Sequence, residues 1–142
     1  MFSLNVQSAQ AVIMNEPISS IMHTIVIPVS MDDTVEMVET LMKAKHISSA
    51  PVYDGDGAIL GIVTATDLVK LHAVGKDPKA VKAWEICTYR PVEVTPATPI
   101  TEVAELMIEN KIHHVIVMEN EAMQGIVSSL DFVRLFLKQN PR

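Results

Sequence analysis

The sequence predicts an α/β (α+β) fold of two β-α-β-β-α repeats related by a pseudo-two-fold axis, with their sheets packed face to face. Three observations predict it. The chain repeats itself, both copies show the same order of helical and extended patterns, and one copy of about 50 residues buries too little to be stable alone.

The duplication comes first because the rest depends on it. Shifted by 65, Val29, Val38, Leu41, Met42, Ile47 and Val52 fall on Val94, Val103, Leu106, Met107, Ile112 and Val117. Shifted by 64, Gly61, Ile62, Val63, Asp67, Val69 and Leu71 fall on Gly125, Ile126, Val127, Asp131, Val133 and Leu135. The offset changes once, between Val52 and Gly61, as a one-residue deletion in a turn would make it. Copy one reads Asp54-Gly55-Asp56-Gly57-Ala58 there, and copy two reads Glu119-Asn120-Glu121-Ala122-Met123.

Each unit opens with an extended stretch, Ile25 to Val29 and Pro91 to Val94. A helix follows. Asp33 with Glu36 forms a capping-box pattern in copy one. In copy two Thr98 is the expected cap, with Pro99 at the first helical position. Val35, Val38, Leu41 and Met42, and likewise Ile100, Val103, Leu106 and Met107, stand at helical spacing. Two strands come next, Ala50 to Tyr53 and Ile59 to Val63 in copy one, His114 to Met118 and Met123 to Val127 in copy two. The Asp-Gly-Asp-Gly stretch between the first pair is hairpin chemistry. A second helix closes each unit, from Thr66 to about Ala73 and from Leu130 to about Lys138. Short helices are expected ahead of each unit, at Pro17 to Met22 and around Val81 to Cys87. The expected organisation is an N-terminal extension at 1–16, repeat one at 17–74, a linker at 75–80 and repeat two at 81–142.

Composition excludes several classes. Of 142 residues, 49% are hydrophobic and 20% charged, which rules out a disordered or collagen-like chain. A net charge of −6 disfavours nucleic acid as a partner. The single cysteine, Cys87, cannot close an intramolecular disulfide and is expected to be a small buried hydrophobe. No apolar run approaches the ~20 residues of a membrane helix, and the N-terminus lacks a basic, then apolar, secretory pattern. A cytoplasmic protein is expected, with no membrane partner.

The strongest paired chemical signal lies where the third strand meets the second helix. Copy one reads Gly61-Ile62-Val63-Thr64-Ala65-Thr66-Asp67, and copy two Gly125-Ile126-Val127-Ser128-Ser129-Leu130-Asp131. Each places a hydroxyl just past a buried strand and a carboxylate three residues on, at a helix start. Free N–H groups at a helix N-terminus suit phosphate, and a carboxylate can accept two hydrogen bonds from a ribose diol. A hydroxyl followed three residues later by an acid is equally an N-cap box. Lys70 and Arg134 lie three residues beyond each acid on the same helical face and could add charge.

Other chemistries find no support. His23, His46, His72, His113 and His114 are scattered, and adjacent His113 and His114 in a strand would point to opposite faces, so no metal is expected. There is no Ser-His-Asp, paired-carboxylate or P-loop arrangement, so no catalytic residues are assigned and no enzyme is expected. Trp84 is expected to be a core or interface anchor.

With these strings, with Ile21-Met22 ahead of the first strand and with Ile47-Ser48-Ser49-Ala50-Pro51-Val52, the chain resembles a tandem pair of CBS domains, a Bateman module, from about Pro17 to Leu137. The resemblance implies a regulatory module that binds adenine nucleotides in clefts between its repeats, and usually a flat homodimer. It implies Thr64 with Asp67, and Ser128 with Asp131, as the hydroxyl and ribose-binding acid of the two clefts. It places His113 and His114 where some relatives carry a phosphate-facing His-Arg pair, with Ser48 and Ser49 there in copy one. Ile27, Pro28, Pro51 and Val92 would wall the adenine ring, with Ile116 standing where copy one has Pro51. By the same resemblance, Asp67 would share a cleft with the histidines and be the tighter site.

The expected function is therefore a stand-alone regulatory module sensing an adenosine-containing ligand, AMP, ADP or ATP, with no obligatory cofactor. It would act on an enzyme or transporter in trans. The alternative is a structural or protein-interaction module with ligand-free clefts. A homodimer is expected because Val35, Leu41, Met42, Leu106, Met107, Leu135 and Phe136 are too many to face inward in so small a chain.

Overall fold

The computed structural model describes residues 14–139. It resolves into two compact units that are not consecutive along the chain. One is Val26–Pro91, the first-repeat unit; the other joins the segment ending at Ile25 to Val92–Arg142, the second-repeat unit.

The first-repeat unit holds a four-stranded sheet in the order β1 (Val29–Ser30), β2 (Ser49–Tyr53), β3 (Ile59–Thr64), β4 (Thr88–Tyr89). The β1–β2 pair is parallel and the other two pairs are antiparallel. Helices α1 (Val35–Lys45), α2 (Ala65–Ala73) and α3 (Ala83–Ile86) accompany it. Val38 and Met42 of α1 and Ala50, Val52 and Val63 of the sheet form its core, with Ala83 and Cys87. Each of the valine and methionine side chains contributes roughly 1.5–3 kcal/mol by leaving water.

The second-repeat unit has a three-stranded sheet, β5 (Glu93–Val94), β6 (His114–Glu119) and β7 (Ala122–Ser128), with helices α4 (Ile100–Asn110) and α5 (Ser129–Gln139). Its core is Ile18, Val94, Ile100, Val103, Met107, Val115, Val117 and Val127. Both copies repeat small details. His46 and Lys111 end α1 and α4 in the left-handed conformation, at φ 54° and 53°. Both hairpins shift register, after Val52 and after Val117. The deletion falls in the turn: copy one closes with Asp54 Oδ1 accepting from the Asp56 and Ala58 amides, copy two with Asn120 and Glu121 both at positive φ.

The leading segments are exchanged. The 3-10 turn Ile18–Ser20 opens repeat one in sequence, yet Ile18 N donates to Thr98 O, and His23 and Ile126 exchange both backbone hydrogen bonds. Correspondingly, Ala83 N donates to Asp33 O, and β4 adds to β3. Sequence repeats and compact units are thus different partitions of one chain.

This exchange explains the paired glycines. A Cβ at Gly61 would lie 2.3 Å from Thr88 O, and one at Gly125 2.5 Å from His23 O. The incoming segment crosses the strand where no side chain fits.

Several local expectations change. Thr34, not Asp33, caps α1, accepting from Met37 N at 3.2 Å, while Asp33 Oδ2 accepts from Ser30 N. Pro99 is the N-cap of α4 and makes no side-chain cap bond, because Thr98 Oγ1 accepts from Thr95 N instead. The opening strands shrink to two residues each, since Pro28 and Pro91 supply no N–H to a ladder. Trp84 is 42% exposed; its backbone N–H donates to Met31 O, and its carbonyl accepts from the Tyr89 hydroxyl and the Cys87 thiol. Val35, Met42 and Met107 are buried and Leu41, Leu106 and Leu135 partly so; of the supposed surplus only Phe136 is exposed. Cys87 is buried, and burial pushes its thiol up from the usual range.

Candidate functional site

The paired hydroxyl–acid corners form in both units by the same local physics. In the first-repeat unit β3 ends at Thr64, which is extended (φ −119°, ψ 165°) and becomes the N-cap of α2. The Asp67 side chain folds back on it. Oδ2 accepts from Thr64 N at 2.8 Å and from Thr64 Oγ1 at 3.1 Å. A carboxylate here also meets the positive end of the helix dipole. The capping role therefore exists, and it occupies one carboxylate oxygen.

In the second-repeat unit Asp131 Oδ2 accepts from Ser128 N at 2.7 Å and from Ser128 Oγ at 3.2 Å. Its Oδ1 is engaged as well. His23 Nε2 lies 2.6 Å away and Arg134 Nη1 donates at 3.0 Å. An ionised carboxylate only accepts, so His23 must present an N–H at Nε2. The Asp131 side chain is 4% exposed, whereas those of His23 and Arg134 are 59% exposed. A buried charge needs such partners, and Asp131 has them.

The corners differ at two aligned positions. The counterpart of His23 is Thr88, whose side chain makes no hydrogen bond to Asp67; the counterpart of Arg134 is Lys70, exposed and without an ion pair to Asp67. Asp67 is half-buried, and among the described residues its Oδ1 accepts no hydrogen bond.

The other singled-out residues gather by unit. Ser48 O accepts from Ala65 N, and Ser49 pairs with Thr64, so the serines stand beside the Asp67 corner. His113 O accepts from Ser129 N, and His114 pairs with Ser128, beside the Asp131 corner. Pro51 is fully buried in β2 opposite Ile62. Ile27 is half-buried and Pro28 exposed. Val92 packs against the second-repeat core and accepts from Ile116 N.

Sequence reasoning missed His23 as a member of this site. It stands 108 residues from Asp131, and no spacing pattern ties the two. The only available signal was its alignment with Thr88, a mismatch within a repeat.

Two apolar grooves lie apart from the acids. One, of about 910 Å³, runs between α1 and α2, lined by Met42, Ile47, Leu68 and Val69, with the hydrogen-bonded Glu39 and His72 at its edge. Another, of about 350 Å³, involves Met107, Ile108, Ile112 and Ser129. Neither includes Asp67 or Asp131. Among the described residues no cluster of His, Cys, Asp or Glu is placed to hold a metal ion, and no helix is long and apolar enough to cross a membrane.

Comparison with known proteins gives a consistent result. The model of the CBS domain matches twice, at residues 18–73 and 83–138. The Bacillus subtilis protein YlbB, itself uncharacterised, is 33% identical over 97 residues, 68% of this chain and 66% of that protein. An inosine-5′-monophosphate dehydrogenase from Halobacterium salinarum is 31% identical over 126 residues; the match covers 82% of this chain but 24% of the dehydrogenase. A CBS domain pair solved in complex with 5′-methylthioadenosine and S-adenosyl-L-methionine superposes with a TM-score of 0.76 at 26% identity, covering 84% of this chain and 98% of that one.

Proposed function

The chain belongs to the CBS-domain family, and from that premise we propose that it is a non-catalytic, cytoplasmic regulatory module whose ligand carries an adenosine group. The observation that carries this reading is the Asp67 corner. A carboxylate held by its own N-cap at one oxygen offers the other to a ribose diol, at a helix start whose positive dipole end suits phosphate. The related pair solved with two adenosine compounds supports the ligand class. AMP, ADP and ATP are the nucleotides proposed, with Thr64 and Asp67 on the ribose.

The match to one quarter of a dehydrogenase supports a regulated enzyme as the partner of this module. Self-association is the second part of the proposal. Val69 on α2 and its counterpart Val133 on α5 are 66% and 50% exposed, and Phe136 and Leu137 follow on α5 at 57% and 59%. A homodimer that covers these helix faces removes that apolar surface from water.

Calorimetric titration of the nucleotide-stripped chain with AMP, ADP, ATP, 5′-methylthioadenosine and S-adenosyl-L-methionine tests the ligand class. Saturable binding of at least one, lost in Asp67→Ala, is expected. No binding of any of the five would favour a protein-interaction module, a reading that the saturated Asp131 corner already suits.

A further inference from the structure

We propose that His23 and Arg134 set the occupancy of the second repeat: they hold Asp131 so fully that an adenosine ligand binds the chain through Asp67 alone. The proposal rests on the adenosine reading above and adds which acid is available and what decides it.

The argument is an inventory of lone pairs. An ionised carboxylate offers about four acceptor positions. At Asp131 four donors fill them: Ser128 N, Ser128 Oγ, His23 Nε2 and Arg134 Nη1. At Asp67 two are filled, both on Oδ2, by Thr64 N and Thr64 Oγ1. A ribose diol approaching Asp67 gains hydrogen bonds without displacing any. The same diol at Asp131 must displace an Arg guanidinium or an imidazole, and a hydrogen bond from a cation is roughly twice as strong as a neutral one. Burial deepens the difference, because a carboxylate 4% exposed loses more from a broken partner than a half-buried one.

The cause is confined to two side chains. Backbone capping is the same in both corners to within 0.1 Å, at 2.8 and 2.7 Å. What differs is His23 against Thr88, and Arg134 against Lys70. Both determinants lie in the same compact unit as Asp131. His23 is carried there by the exchanged leading segment, whose backbone pairs with Ile126.

The test exchanges these residues between the corners and counts bound AMP and bound 5′-methylthioadenosine per chain, by calorimetry and equilibrium dialysis on the full chain. The wild type is expected to bind one molecule per chain, and Asp67→Ala none. His23→Thr with Arg134→Lys should raise the count to two, and adding Asp67→Ala to that pair should return it to one. The reciprocal exchange, Thr88→His with Lys70→Arg, should clamp Asp67 and weaken the wild-type site tenfold or more. It keeps the proposal falsifiable if the first exchange fails to fold. Two sites in the wild type, binding that survives Asp67→Ala, or a reciprocal exchange that leaves affinity unchanged would each overturn the proposal while leaving the adenosine reading intact. No binding by any variant would remove the reading itself, and the proposal with it.

Discussion

His23 Nε2 stands 2.6 Å from Asp131 Oδ1, joining two residues 108 positions apart, while the aligned residue Thr88 gives Asp67 no such partner. Two acids at matching places in a duplicated fold thereby differ in chemistry. One is a structural charge, buried and saturated. The other is half-buried, and among the described residues one of its oxygens accepts no hydrogen bond.

Stability should reveal the difference without any ligand. Asp131→Ala removes four acceptor contacts and leaves His23 and Arg134 without their shared anion, so a loss of about 2–4 kcal/mol is expected. Asp67→Ala removes a cap alone, worth about 1 kcal/mol. Urea unfolding followed by circular dichroism measures both. Equal losses would contradict the inventory.

Gly61→Ala and Gly125→Ala should each cost about 1–3 kcal/mol, because the new methyl meets backbone and the crossing segment must move. Gly55→Ala, with nothing within 4 Å of the added carbon, is the control and should be near neutral. Thermal unfolding of the three variants distinguishes them. A harmless Gly125→Ala would mean that the His23 segment yields easily.

Much of this was legible before the fold was known. Residues 29–71 align with 94–135 across one deletion, which predicts the hairpin difference and the matched acids, and the helical and extended patterns in each copy predict the β-α-β-β-α order. What stayed hidden were relations that depend on tertiary course. Pro17 to Met22 reads as the start of repeat one, yet Ile18 and Ser19 donate to Thr98 O and Pro96 O, and His23 just beyond pairs with Ile126 of β7, because a short segment's partner is chosen by packing and not by its own pattern. For the same reason His23 looked like one scattered histidine among five. Val35, Met42 and Met107 looked like surplus apolar residues because a linear count cannot show how much core two small sheets provide. The cap at Thr34 rather than Asp33 is a one-residue matter of which oxygen reaches the free amide.

Cys87 should be slow to alkylate in the folded chain. Burial raises its thiol above the usual range, and the thiolate is the reacting form. The rise of rate with pH should therefore sit at higher pH for the folded chain than for the unfolded one. The folded state holds this proton more tightly, so its stabilising contribution is full below the unfolded thiol's range and is lost as pH climbs through the folded one. Iodoacetamide kinetics with mass-spectrometric readout, with and without urea, measure this. Equal rates in both states would contradict the burial of Cys87.

Light scattering should give a mass above the 15.6 kDa of one chain at micromolar concentration. Val69→Glu combined with Val133→Glu places a charge on each exposed helix position and should return the mass to that of a monomer. A wild-type monomer would leave the exposed positions of α2 and α5 without the proposed partner.

The most direct measurement of the central claim is backbone amide NMR during titration with AMP and with 5′-methylthioadenosine. The account predicts saturable shifts at Thr64, Ala65, Thr66 and Asp67, with Ser128 to Asp131 left in place. Shifts confined to Ser128, Ser129, Leu130 and Asp131, with the Asp67 corner unmoved, would contradict it.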